Sequence, residues 1–93
     1  MPKVYITDAD RKNAAFIKNC EEVQKDVKRS LREALEDKGI KRKELPDKLF
    51  SLFRRNVCYS TTQKAINDAV HSDIINIVAI AQAAGLKVKI EFL

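Results

Sequence analysis

Ninety-three residues, 45% hydrophobic and 33% charged, allow one compact domain and exclude two independent cores or wholesale disorder. No apolar run approaches the roughly 20 residues needed to span a bilayer. The net charge of +5 turns attention to polyanionic partners rather than acidic assemblies.

The opening MPKVYITDAD has no apolar h-region and reaches acids by Asp8, so no signal peptide is expected and the default location is cytoplasmic. Val4, Tyr5 and Ile6 form a short β-prone stretch. Thr7 is a fair N-cap, with Asp8 and Asp10 in the turn that follows. Phe16, Cys20, Val23, Val27, Leu31, Ala34 and Leu35 then recur at three- and four-residue spacing, the stripe of an amphipathic helix. That pattern predicts helix over residues 8–38, in one piece or in two broken within residues 25–30, with Gly39 ending it.

Ile40 begins a short connection, and Lys41 or Arg42 opens a second helix carrying Leu45 and Leu49, with Leu52 and Phe53 as further apolar positions. Pro46 falls early in that helix, where a missing N–H is tolerated. Residues 50–60 show no clean period. Thr61 or Thr62 can cap a third helix that buries Ile66, Ala69 and Val70. Ser72 or Asp73 caps a fourth, with Ile74, Ile77, Val78 and Ala81 inward and Gly85 closing it. Leu86, Val88, Ile90 and Phe92 alternate with Lys87, Lys89 and Glu91, the period of a strand. A lone strand cannot satisfy its own backbone, so its partner is either residues 4–6 or the same strand of a second chain. The expected fold is therefore mostly α: four to five helices and a short C-terminal strand in a single domain. Residues 1–29 form an N-terminal strand and helical extension, 30–85 the core, and 86–93 the terminal strand.

The placement of charge says more than its total. From Lys38 to Lys64 there are eight bases (Lys38, Lys41, Arg42, Lys43, Lys48, Arg54, Arg55 and Lys64) against Glu44 and Asp47, a net +6; elsewhere ten bases face eleven acids, a net −1. A positive patch concentrated in one stretch is the footprint of a phosphate binder.

Motifs for catalysis are absent. There is no GxGxxG, GKS/T, HExxH or paired-carboxylate pattern, and no cofactor or metal is implied. Cys20 and Cys58 lie far apart, with no CxxC and no neighbouring histidine. They read as two reduced cysteines, Cys20 in the core. His71 stands alone between two helices as a capping or surface residue, and nothing in the spacing forces Cys58, His71 and Asp73 together. The aromatics are too scattered for a base-stacking platform.

Two segments, SLREALEDKGIKRKELPDKL from Ser30 and TQKAINDAVHSDIINIVAIAQAAGLKVKIEF from Thr62, bring a family into view. Their layout resembles the lambda-repressor-like (Xre/Cro) helix-turn-helix proteins, including HigA-type antitoxins and small phage repressors. Leu31, Leu35, Ile40, Leu45 and Leu49 fall where that family buries apolar side chains. Thr62-Gln63-Lys64-Ala65-Ile66 looks like the start of its recognition helix, and Ile80-Ala81-Gln82-Ala83-Ala84-Gly85-Leu86 resembles its last helix. The sequence departs from the family in two places. Pro46 replaces a small residue, and a dozen residues without glycine separate Leu49 from Thr62, where the family has a turn of about four. An inserted loop or an extra helical turn is implied there.

The resemblance implies a sequence-specific, double-stranded-DNA-binding regulator of phage, mobile-element or antitoxin type, cytoplasmic and homodimeric on a palindromic site. In an antitoxin, the long N-terminal helix would hold a toxin. Gln63 suits the bidentate contact to adenine, Asn67 lies one turn on along the same face, and Lys64 suits guanine or phosphate. Thr62 would sit at the helix N-terminus, beside the DNA. Lys41, Arg42, Lys43, Arg54 and Arg55 would clamp the backbone and set register. Two other classes remain open. One is a protein-interaction module that keeps the layout without the DNA contacts, such as a phage-encoded inhibitor of a host factor. The other is a small basic ribonuclease toxin using Lys64, Arg54 and His71.

Overall fold

The computed structural model describes residues 14–92, so the expected strand at residues 4–6 and the cap at Thr7 lie outside the described residues. Four α-helices follow in order: α1 (Ala14–Asp37), α2 (Leu45–Phe53), α3 (Tyr59–Asn67) and α4 (Ile74–Ala83). Single turns of 3-10 helix at Arg42–Glu44 and Ala69–His71 lead into α2 and out of α3. Among the described residues no helix is long and apolar enough to cross a membrane.

Helix α1 is continuous, without a break at residues 25–30, because no glycine or proline interrupts it and strong helix formers fill its middle. It stops at Gly39, which adopts φ +66°, a left-handed conformation that costs glycine little. The Gly39 amide donates to the Glu36 carbonyl (3.0 Å) and the Ile40 amide to the Leu35 carbonyl (2.9 Å). This paired closure satisfies two carbonyls that the helix end would otherwise orphan. Helix α4 closes the same way: Gly85 has φ +82°, and Leu86 donates to Ala81 at 2.8 Å.

The core is where the four helices meet. Leu31 and Leu35 of α1, Leu45 and Leu49 of α2, Ala65 and Ile66 of α3, and Ile80 of α4 form one buried cluster, with Val27, Ile40, Val57 and Ile77 packed partly against it. Only the C-terminal half of α1 takes part. Phe16 and Val23, expected inward, are exposed, and Cys20 is half-buried. Among the described residues the apolar stripe thus runs on past the helices that could cover it.

Helix α4 is rotated from its expected register. Ile74 is 54% exposed while Ile80 is fully buried, and Asn76 and Ala79 join Ala81 on the inner side. The helix is apolar on nearly every side, so periodicity alone cannot choose its buried face. Val70 is likewise exposed rather than buried. Asp73 is the N-cap position of α4, as the sequence suggests.

The long gap after Leu49 is mostly helix. Helix α2 continues through Phe53 and α3 begins at Tyr59, leaving residues 54–58 as the connection. The period is lost there because the turns bordering the connection project into solvent: Phe50, Leu52, Phe53 and Tyr59 are all exposed. Arg54 ends α2 in the left-handed region (φ +56°, ψ +32°) and its amide closes on the Leu49 and Phe50 carbonyls.

Residues 86–92 form no strand among the described residues. The alternation is real, but the backbone has no described neighbour with which to pair, and a strand exists only as part of a ladder. Leu86 and Val88 instead border a shallow groove with Val27 and Leu31 of α1 and Ile77 and Ala81 of α4.

Candidate nucleic-acid interface

The inner and outer faces of α3 follow from its period. Thr62, Ala65 and Ile66 face the core and are fully buried, which puts Tyr59, half-buried Gln63 and Asn67, spaced by four, along one flank of the helix, with Ser60 and Lys64 opposite the core. Thr62 is therefore neither the cap nor a surface contact. Its hydroxyl donates back to the Tyr59 carbonyl at 2.7 Å, and the N-cap position belongs to Cys58. Thr61 and Thr62 both look like caps in the sequence. The helix begins earlier because that start turns Thr62 and Ile66 inward together.

Arg42, itself half-buried, reaches this flank of α3 from the 3-10 turn before α2. Its Nη1 donates to Gln63 Oε1 at 3.0 Å and to Asn67 Oδ1 at 3.2 Å. The Gln63 amide nitrogen in turn donates to the Tyr59 hydroxyl. Tyr59, Gln63, Arg42 and Asn67 thus form one hydrogen-bonded strip. Lys41 and Lys43 flank Arg42, Lys64 lies beside Gln63, and all three are exposed.

The two arginines of the connection part company. Arg54 is exposed, with its guanidinium 5.5 Å from the centroid of the Phe50 ring, a cation–π separation. Arg55 turns inward and is half-buried; its Nη2 donates to Asn76 Oδ1 at 3.0 Å, while its buried Nε has no partner among the described residues. The clamp expected at Arg55 is accordingly a tie between residues 54–58 and α4. An inward-facing Asn76 supplies the acceptor that draws it there.

Three further side chains complete the surroundings. Gln24 bridges α1 to the far end of α3: its Nε2 donates to the Ile66 carbonyl (3.4 Å) and its Oε1 accepts from the Val70 amide (3.1 Å). His71 is exposed and pairs with Asp68, Nδ1 to Oδ1 2.7 Å. No cluster of three or more metal-ligating side chains occurs among the described residues. Tyr59, Asn76 and Gln24 were not legible as site residues. Only the i, i+4 spacing of Tyr59 and Gln63 offered a signal, and it required the true helix start.

Cys58 is exposed, and its Sγ lies 3.1 Å from both Ser60 Oγ and Thr61 Oγ1. The Ser60 hydroxyl, followed by the Thr61 hydroxyl and backbone, stabilises the thiolate and lowers the thiol from 9.0 to about 7, as expected of a thiol at a helix N-terminus. Alkylation by iodoacetamide should therefore reach half its maximal rate near pH 7. Replacing Ser60 with alanine should move that midpoint upward. An unmoved midpoint would show that the hydroxyl does not hold the thiolate.

No family model, curated protein or solved structure matches this chain.

Proposed function

We propose that this chain is a sequence-specific regulator that binds double-stranded DNA, with α2, residues 54–58 and α3 acting as a helix-turn-helix and α3 lying in the major groove. The observation that carries this reading is the strip of Tyr59, Gln63 and Asn67 along the flank of a helix whose inner face is buried, joined by Arg42. Side chains of this kind read base edges. Exposed Lys41, Lys43, Arg54 and Lys64 stand around the strip and suit phosphates.

Arg54 adds a second line of support. A non-glycine residue in the left-handed region costs about 1–2 kcal/mol, and a glycine would do the backbone's work there more cheaply. Its exposed guanidinium, beside the Phe50 ring, is placed to meet a phosphate. The short connection between α2 and α3 also approaches the tight turn of the lambda-repressor-like proteins, which the raw spacing from Leu49 to Thr62 did not. A cytoplasmic homodimer on a palindromic site, of phage-regulator or antitoxin type, completes the proposal.

One observation favours a protein partner as well. Phe16, Ile17 and Cys20 on the outer half of α1, with Val70, border an open apolar groove of about 640 Å³, which suits the antitoxin variant of the proposal or a plain interaction module.

The test is a titration of mixed-sequence duplex DNA at several salt concentrations. Four to five phosphate contacts predict a slope of log K against log[salt] of about −4, from roughly −0.9 per phosphate. A flat salt response, or no binding at low salt, would leave the interaction module as the better account.

A further inference from the structure

Arg42 was expected to hold a phosphate and Gln63 to read adenine. The hydrogen bonds of the strip point to a different division of labour. A glutamine reads adenine by offering its carbonyl oxygen and its amide nitrogen together. In Gln63 both are engaged: Oε1 accepts from Arg42, and Nε2 donates to Tyr59. One lone pair on Oε1 and one N–H on Nε2 remain, so an adenine contact would have to share the two groups with Arg42 and Tyr59, the Arg42 bond being of the stronger, charge-assisted kind.

Arg42 stands in the opposite condition. A guanidinium carries five N–H donors in a rigid plane. The two on Nη1 are used by Gln63 Oε1 and Asn67 Oδ1. Those two amide oxygens therefore fix the orientation of the plane, and Nη2 and Nε have no partner among the described residues. What remains is a fork of parallel N–H groups along the Nε–Nη2 edge. That fork matches two acceptors side by side, as on guanine O6 and N7 or on a phosphate.

We infer that Arg42 is the base-reading residue of this surface and selects guanine, and that Gln63 and Asn67 are positioning residues that aim it. This rests on the DNA-binding reading above. It assigns the specificity of that reading to a side chain outside α3. A lysine could not substitute, because an ammonium offers a point charge without the planar fork.

The experiment is selection from a randomised duplex library with the full chain, in parallel for wild type, R42A, R42K and Q63A. Wild type should enrich a motif with a fixed guanine in each half-site. R42A and R42K should lose that guanine while keeping the other positions, and Q63A should blur it. Replacing the guanine with 7-deazaguanine removes only the N7 acceptor. It should weaken wild type about tenfold, a result that needs no variant, and leave R42A unchanged. An R42A motif identical to wild type, with uniformly weaker binding and a salt slope reduced by about one, would make Arg42 a phosphate clamp and overturn the inference. A fixed adenine lost in Q63A would return base reading to Gln63. Failure of wild type to enrich any duplex would refute DNA binding itself, and with it this assignment.

Discussion

Leu49→Ala is expected to destabilise the fold by about 2–5 kcal/mol, the range for truncating a fully buried leucine. Leu49 is wholly buried at the centre of α2, where the cluster is small and most of its neighbours are leucine, isoleucine or alanine. Few of them can move inward to fill the space, which favours the upper part of the range. A domain of this size is stabilised by only about 5–14 kcal/mol in total, so the variant should unfold at a much lower urea concentration. The slope of the unfolding line should be unchanged, since the surface exposed on unfolding is the same. Leu52, three residues on and 55% exposed, is the control: Leu52→Ala should stay within about 0.5 kcal/mol of wild type. Equal losses at the two positions would mean that α2 does not bury the face described for it.

The contrast between Leu49 and Leu52 also shows what the amino-acid pattern could convey. Turn chemistry is local, so Gly39 and Gly85 were legible as helix ends, and Leu45 and Leu49 as an inward pair. Helix through the described part of α1 was legible too, because its stripe is regular. That it runs unbroken through residues 25–30 was not, and its expected start at residue 8 lies outside the described residues. Which half of that stripe is covered depends on where α3 and the Ala69–His71 turn lie, and nothing in the stripe records it. Helix α4 has too few polar residues to mark an outer face, so its register was set by packing around Ile80. The C-terminal alternation depends on a pairing partner outside its own residues.

The site divides along the same line. Arg42, Gln63, Lys64 and Asn67 were legible by residue type and spacing. Their connection was not, because the bonds from Arg42 to Gln63 and Asn67 join residues 21 and 25 positions apart and exist only once α2 and α3 have packed. Thr62 misled for a local reason: a threonine before an apolar helix resembles a cap whether or not the helix has already begun. Arg55 misled for a tertiary one. A basic residue in a basic stretch gives no sign that a buried asparagine of α4 will claim it.

Gln63→Ala combined with Lys64→Ala is expected to reduce duplex affinity about 30- to 1,000-fold at moderate salt while leaving the fold in place. The estimate has two parts: an aimed guanidinium contact to a base discriminates by about 1–3 kcal/mol, and one lost phosphate contact lowers the salt slope by about one. Gln63 contributes through Arg42, because without the Gln63 oxygen the guanidinium keeps only its bond to Asn67 and the free fork can swing. Lys64 contributes as an exposed charge with no hydrogen-bond partner among the described residues. Neither side chain belongs to the buried cluster. The stability cost should therefore stay within the roughly 1–3 kcal/mol of the two hydrogen bonds that Gln63 makes, too little to unfold the domain. The single Lys64→Ala variant separates the two contributions: it should shift the salt slope and leave the selected motif intact, whereas the double variant should blur the guanine as well. Full affinity in the double variant, with a native circular dichroism spectrum, would remove α3 from the DNA and leave the apolar groove of α1 as the better candidate for this protein's partner.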